Sequence, residues 1–164
     1  MNLLVQNNYL HSDLGRFACA IGRAGLTTNK IEGDHKTPVG EFKFQKIYYR
    51  KDKLGEFSFK IPFAVIQKND GWCDDPKSKQ YNQHIKFPFD ASAEKLFRDD
   101  DLYDLLCVIN HNTDPIVPGR GSAIFLHISK PNFEGTEGCV AIEKENIIEL
   151  AKKIDVRTKL IIKD

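Results

Sequence analysis

The chain has 164 residues, with 24 Lys and Arg against 23 Asp and Glu, and a net charge of +1 at pH 7. This near-neutral balance argues against a protein that binds nucleic acid or an anionic membrane through its overall charge. At this length, a chain that is 41% hydrophobic can bury a core without metals or disulfides. A single domain over residues 1–164 is therefore predicted.

The sequence shows no segment that would place the chain in a membrane or export it. No stretch approaches the roughly 20 apolar residues that a membrane span requires. The first residues, Met1 to Asn8, have neither the basic segment nor the long apolar run of a secretion signal. The sequence as written is expected in the cytoplasm, or in the periplasm if it is exported by a route that the sequence does not show.

Short segments rich in Phe, Tyr, Ile and Val follow one another along the chain and predict β-strands. They cover Arg16 to Ile21, Glu41 to Arg50, Glu56 to Ile66, Leu105 to Ile109, Ser122 to Ile128 and Val156 to Ile162. Phe42 and Phe44 alternate with polar residues, as expected for a strand with one buried face. Clusters of Gly, Asp and Asn separate these segments and predict turns.

Two helices are predicted among the strands. Apolar residues with the three- and four-residue spacing of an amphipathic helix begin after Lys144; they are Ile147, Leu150, Ala151 and Ile154. A shorter helix is predicted from Ala91 to Arg98, with Asp90 as its N-cap. The pattern as a whole predicts a mostly β protein, a sandwich or barrel with one or two packed helices.

The segment from Gly71 to Pro88 is predicted to be a long functional loop, because it is polar, rich in turn residues and contains the only tryptophan. Its aromatic and polar side chains would suit a peptide with free amines, carboxylates and amides; they are Trp72, Asp75, Tyr81 and Asn82. The alternative is that Trp72 packs this loop onto the sandwich. The earlier run from Lys30 to Asp34 is interpreted as a solvated turn.

Cys139 is the only one of four cysteines with the surroundings of a reactive thiol. Cys19 and Cys107 lie in apolar runs where cysteine acts as a small hydrophobe. The cysteines form no CxxC pair, and His11, His35 and His84 have no spacing that indicates a metal site.

His127 supplies the base that Cys139 would need. A free thiol has a pKa of about 8.5, so a nearby imidazole must help to remove its proton. His127 ends an apolar segment and lies twelve residues before Cys139, which lets a strand, a turn and a returning segment bring the two side chains within hydrogen-bond reach. The alternative is a buried histidine and a core cysteine without chemistry.

Two neighbouring residues add to this pattern. Gly138 has no side chain, so it allows close approach of a substrate and could direct the N–H of Cys139 at an oxyanion. Arg120 could hold a substrate carboxylate with its planar guanidinium; a surface arginine without function is the alternative.

The residues from Gly119 to His127, followed by Thr136 to Ala141, resemble the catalytic block of YkuD-type L,D-transpeptidases, in which a histidine and a loop precede Ser/Thr-x-Gly-Cys. Further segments are similar to a compact bacterial branch of that family and occur in the same order: Ile21–Gly25, Lys30–Asp34, Thr37–Gly40, Gly71–Asp75 and Tyr81–Asn82. The similarity spans about residue 15 to the end of the chain.

Two positions depart from the family pattern. Ala141 stands where many members have an arginine, and an acidic Glu137 precedes Gly138 and would raise the thiol pKa unless it points away.

The resemblance implies an enzyme that acts on peptidoglycan stem peptides through a thioester on Cys139. His127 would be the base, the carbonyl of Ile128 would orient it, and backbone N–H groups around Gly138 would hold the oxyanion. An amine or water would then resolve the acyl-enzyme, and no metal or organic cofactor is implied. The expected substrate contacts are Arg120, Ser122, Trp72, Asp75, Tyr81, Asn82 and Thr136.

Two other functions compete with this one. The first is a binding module on the same fold that recognises stem peptides or a partner protein without catalysis. The second is a papain-like protease, which is disfavoured because its cysteine normally precedes its histidine by a long interval. If the enzyme acts in the cytoplasm, water or a free D-amino acid is expected to be the acceptor more often than a second stem peptide.

Overall fold

A computed structural model describes residues 1–164, which form fourteen strands and two helices. The strands are β1 (Asn2–Gln6), β2 (Tyr9–Ser12), β3 (Gly15–Ala20), β4 (Leu26–Thr27), β5 (Thr37–Pro38), β6 (Gly40–Tyr49), β7 (Phe63–Val65), β8 (Asp70–Cys73), β9 (His84–Lys86), β10 (Ala93–Lys95), β11 (Leu105–Ile109), β12 (Phe125–Ile128), β13 (Val140–Ile142) and β14 (Lys159–Ile162). The helices are α1 (Lys51–Leu54) and α2 (Lys144–Lys153).

Nine strands form one sheet in the order β11-β12-β13-β3-β2-β1-β14-β6-β7. The long strand β6 closes this sheet into a barrel, because its first residues pair with β14 and its residues from Phe44 onward pair with β11. A separate three-stranded sheet, β10-β8-β9, lies beside the barrel. The predicted mostly β fold with a barrel or sandwich and packed helices is confirmed.

Strand β11 divides two hydrophobic clusters, because side chains on a strand alternate between its faces. Leu105, Cys107 and Ile109 belong to a cluster of 23 buried residues, the inner core, which also contains the apolar face of α2. Leu106 and Val108 belong to a second cluster of 10 buried residues, the outer cluster, with Trp72 from the three-stranded sheet. The outer cluster therefore lies between β11, β12 and the three-stranded sheet.

Helix α2 confirms the helix predicted from Lys144. Ile147, Leu150 and Ala151 are fully buried in the inner core, as the apolar spacing indicated. Neither helix has the length and apolar character needed to cross a bilayer.

The helix predicted from Ala91 to Arg98 is wrong. Residues Ala93–Lys95 form β10 instead, and they pair antiparallel with β8 so that Glu94 lies opposite Trp72. Alanine, glutamate and lysine favour a helix locally, but the hydrogen bonds and packing that β8 offers outweigh that preference. Asp90 consequently caps no helix.

Two other predicted segments have different structures from those expected. Of the segment Glu56 to Ile66, only Phe63–Val65 is a strand, since Pro62 has no N–H to continue a ladder. Phe59 and Ile61 are nevertheless buried in the inner core. The loop predicted from Gly71 to Pro88 contains parts of two paired strands, β8 and β9, joined by a turn-rich connection.

Candidate active site

The pairing of β12 with β13 brings His127 and Cys139 to the same face of the barrel. These parallel strands align Leu126 with Val140 and His127 with Ala141. Cys139, directly before β13, therefore lies two residues before Ala141, the direct partner of His127. At the spacing of paired strands, diagonal Cβ atoms are about 8 Å apart, within reach of an imidazole and a thiol.

Both side chains line a cleft of about 410 Å³ on the outer side of the barrel. The cleft is lined by charged groups, by the loop before Cys139 and by residues from the segment 94–103. Its members are Lys30, Glu32, Gly33, His35, Asp74, Glu94, Arg98, Leu102, Tyr103, Ser122, Ala123, Ile124, His127, Lys130, Glu134, Gly135, Thr136, Glu137, Gly138, Cys139 and Ala141.

The Cys139 thiol is held by two backbone groups. Its S–H donates to the carbonyl of Ala123 at 3.1 Å, and its sulfur accepts from the N–H of Phe125 at 3.3 Å. Burial raises the pKa of Cys139 to about 12, and the nearby carboxyl of Glu94 adds to this rise. The side chain of Cys139 is therefore a protonated thiol at neutral pH.

The His127 imidazole is oriented by its own neighbour in the chain. Its Nδ1 lies 2.8 Å from the carbonyl of Ile128, and because a carbonyl only accepts, Nδ1 carries the proton and Nε2 is free to act as a base. Burial lowers the pKa of His127 to about 4, which keeps the ring neutral at pH 7. No hydrogen bond joins the imidazole to the Cys139 thiol, whose proton is directed at Ala123.

Gly138 occupies a position that no other residue fits. Its φ is +145°, and an added Cβ would lie 2.9 Å from the carbonyl oxygen of Lys36. The N–H of Gly138 donates to the Thr136 hydroxyl at 3.1 Å, whereas the N–H of Cys139 has no acceptor within the chain. The Cys139 N–H is thus the group left to receive an oxyanion.

Buried Thr37 fixes the loop before Cys139. Its hydroxyl accepts from the N–H of Gly22 and donates to the carbonyl of Gly138, both at 2.8 Å. The Thr136 hydroxyl likewise donates to the Cys139 carbonyl at 2.7 Å. The loop therefore reaches Cys139 with its backbone held from both sides.

The carboxylate of Glu137 is turned toward the Arg23 guanidinium and the His35 ring. It pairs with Arg23 at 2.7 Å and contacts His35, and its negative charge adds only slightly to the raised pKa of Cys139. The expected effect on the thiol is present, but burial and Glu94 exceed it.

The structure brings some of the expected substrate contacts to the cleft and leaves others outside it. Ser122 and Thr136 line the cleft with Cys139 and His127. Arg120 is exposed and donates to Asn29, while Asp75 accepts from the N–H of Lys77 in a turn, and neither lines the cleft. Trp72 is buried in the outer cluster, as in the alternative that it packs its segment onto the barrel.

Tyr81 and Asn82 lie behind the cleft wall. The Tyr81 hydroxyl donates to Glu32 at 2.8 Å and accepts from the N–H of Gly121 at 3.0 Å. The Asn82 side-chain oxygen accepts from the N–H of Ala123 at 3.0 Å. These two residues therefore support groups that line the cleft without lining it themselves.

Several cleft residues were missed by the sequence analysis. Lys30 and Glu32, from the segment interpreted as a solvated turn, line the cleft, and Lys30 is buried with its amine paired to Asp34. Glu94 comes from the segment predicted to be a helix, and Tyr103 lies between that segment and the strand predicted from Leu105. The resemblance of Lys30–Asp34 to a family segment was the only signal for the first pair.

The described residues contain no group of three or more His, Cys, Asp and Glu side chains arranged to hold a metal ion. A model of the YkuD family, described as the L,D-transpeptidase catalytic domain, matches residues 4–162. No curated protein and no solved structure matches the chain.

Proposed function

Because the chain belongs to the family of YkuD L,D-transpeptidase catalytic domains, we propose that it transfers acyl groups of peptidoglycan stem peptides through a thioester on Cys139. The observation that carries this proposal is that Cys139 and His127 line one cleft on adjacent strands. The donor bond would join the carbonyl of an L-centre to a terminal D-residue, commonly meso-diaminopimelate to D-alanine.

The acylation step starts from the neutral pair. His127 Nε2 accepts the thiol proton as the Cys139 sulfur attacks the carbonyl carbon, and the N–H of Cys139 donates to the resulting oxyanion. A donor of this kind contributes about 3 kcal/mol in other acyl transferases. The C–N bond then breaks, and the proton on Nε2 passes to the leaving amine.

The thioester is resolved by the reverse sequence. An amine or water gives its proton to His127 Nε2 and attacks the thioester carbon, after which the proton returns to the Cys139 sulfur. The cleft of about 410 Å³ is at the small end of ligand pockets. A bound donor leaves room for a small acceptor, so we propose that hydrolysis or exchange with a free D-amino acid exceeds cross-linking.

The test is incubation of the protein with a disaccharide-tetrapeptide, with and without D-methionine, followed by mass spectrometry. Tripeptide and D-methionine-exchanged product are expected from the wild type and from Cys19→Ala, and neither from Cys139→Ala. Full activity of Cys139→Ala would contradict the mechanism, and dimers as the dominant product would contradict the choice of acceptor. If no product forms and a carbapenem adds no mass to Cys139, the protein is a binding module.

A further inference from the structure

We propose that Tyr103 is a positioning residue for His127. The three residues Leu102, Tyr103 and Asp104, here called the support segment, hold the imidazole in its orientation. This inference rests on the proposed function for its catalytic consequence. Its structural part, the orientation of the imidazole, can be tested without any substrate.

The aromatic ring of Tyr103 packs directly against the imidazole. The two ring centroids are 5.3 Å apart with an interplanar angle of 79°, an edge-to-face arrangement. Tyr103 also packs edge-to-face on Phe125, which lies two residues before His127 on the same strand face. The Tyr103 ring therefore occupies the space into which the imidazole would otherwise rotate.

The Tyr103 ring is itself held in place at its other end. Its hydroxyl donates to Glu94 on β10, and the guanidinium carbon of Arg98 lies 5.2 Å from its ring centroid. Glu94 and Arg98 both line the cleft with Tyr103. These contacts hold the hydroxyl end of the ring.

The two neighbours of Tyr103, Leu102 and Asp104, anchor the backbone of the support segment. The carbonyl of Leu102 accepts from the N–H of Ile128 at 3.1 Å, and the carbonyl of Ile128 in turn accepts from His127 Nδ1 at 2.8 Å. Asp104 is buried and its carboxylate pairs with Lys53 at 3.0 Å and Lys144 at 3.1 Å. One short segment thus fixes both the ring that packs on His127 and the carbonyl that orients it.

The expected consequence is a loss of orientation when the ring is removed. An imidazole that rotates about its side-chain bonds gives up the Nδ1 hydrogen bond and carries its Nε2 away from the sulfur. Misplacement by about 1 Å can cost on the order of 100-fold in rate. Tyr103→Phe keeps the ring and removes only the hydroxyl contact with Glu94, so its effect is expected to be about threefold or less.

The experiment compares Tyr103→Leu, Tyr103→Phe and Tyr48→Leu. Tyr48 is a matched control because it is a buried tyrosine of the same outer cluster whose ring packs on Trp72 and His84 and not on His127. Long-range ¹H–¹⁵N spectra of the imidazoles, assigned by difference with His127→Asn, report which nitrogen carries the proton. The wild type, Tyr103→Phe and Tyr48→Leu are expected to show the Nδ1–H form, and Tyr103→Leu a mixture of both forms.

The rate of acylation by a carbapenem is measured on the same samples, with thermal unfolding as a check of stability. Tyr103→Leu is expected to lose about 100-fold in rate, while Tyr48→Leu, with a similar loss of melting temperature, keeps its rate. An unchanged His127 spectrum in Tyr103→Leu overturns the proposal, as does a loss in Tyr48→Leu equal to that in Tyr103→Leu. If Tyr103→Leu does not fold, a Tyr103→Phe rate reduced by 100-fold overturns it. A wild type that no carbapenem acylates contradicts the proposed function instead, and the spectra still decide the orientation.

Discussion

The pKa values of Cys139 and His127 are shifted in opposite directions by the same cause. Burial disfavours the charged form of each group, so the thiol pKa rises to about 12 and the imidazole pKa falls to about 4. Between these values both groups are neutral, and the resting site holds no thiolate–imidazolium pair. In the proposed mechanism, the proton therefore moves while the sulfur attacks, and the developing charge is carried to the oxyanion.

Because both groups are neutral at rest, Cys139 is predicted to show no thiolate at pH 7. The absorbance of the wild type at 240 nm, minus that of Cys139→Ala, is expected to stay near zero at pH 7 and to rise only well above pH 9. Alkylation of Cys139 by iodoacetamide should follow the same curve. A thiolate difference already present at pH 7 would contradict the neutral pair.

Among the structural elements, the segment before β12 contains Ala123, whose carbonyl accepts the hydrogen bond of the Cys139 thiol. The backbone of Ala123 is in the left-handed region. Ala123 has a φ of +53°, which costs of order 1–3 kcal/mol for a residue with a side chain. Asn82 holds it there by accepting the Ala123 N–H, and the Asn82 amide donates to the carbonyls of His111 and Asn112 at 3.2 and 2.7 Å. The connection after β8 therefore determines where the Ala123 carbonyl meets the thiol.

Asn82→Ala is predicted to damage both stability and catalysis. It leaves the buried N–H of Ala123 and the indole N–H of Trp72 without their acceptor, which should lower the free energy of unfolding by about 2–3 kcal/mol. Carbapenem acylation should slow about tenfold as the Ala123 carbonyl moves away from the thiol. Chemical denaturation and acylation kinetics measure the two effects.

Asn110→Ala is the control for that variant. Asn110 also accepts a backbone N–H, from Lys43 at 2.7 Å, but it lies at the end of β11 and outside the cleft. Its acylation rate should equal that of the wild type. Equal rates for Asn82→Ala and the wild type would show that the Ala123 conformation does not depend on Asn82.

For the molecule as a whole, the cleft places carboxylates near one another where the barrel meets the three-stranded sheet. The pKa of Glu94 is raised to about 7, mainly by burial and also by the charges of Asp74 and Glu32, against the opposing effects of Tyr103 and Arg98. A carboxyl whose folded pKa exceeds its unfolded value binds its proton more tightly in the folded state. Wild-type stability is therefore lost as the pH rises from about 4.5 to about 7.

Glu94→Gln is predicted to remove this pH dependence. The difference in free energy of unfolding, Gln variant minus wild type, should increase between pH 4.5 and pH 7 and stay constant above it. Urea denaturation at pH 4, 5.5, 7 and 8 measures the difference. Glu149→Gln, at an exposed site on α2, is the control and should show no such increase in this window. A difference that does not change with pH would mean that Glu94 titrates as a solvated carboxyl.

Features with a local pattern could be predicted from the sequence. The apolar run Leu105–Ile109 is a strand, and the apolar spacing after Lys144 is a helix with its apolar face in the core. The block that resembles the family's catalytic motif also predicted that Cys139 and His127 are brought together, because a short strand–loop–strand connection joins them in the chain, and both line the cleft. In each case the information lies within a few consecutive residues.

Hydrophobic periodicity and short motifs are local properties, so the sequence alone predicts a mostly β sandwich or barrel, helix α2 and the cysteine–histidine block. The strand at residues 93–95 depends instead on tertiary structure, since pairing with β8 outweighs helical propensity. Tertiary structure also decides which charged side chains line the cleft. Lys30, Glu94 and Tyr103 meet His127 and Cys139 across long sequence separations. Contacts of that kind depend on barrel closure and the docking of the small sheet, and the burial they produce sets the pKa values of the site.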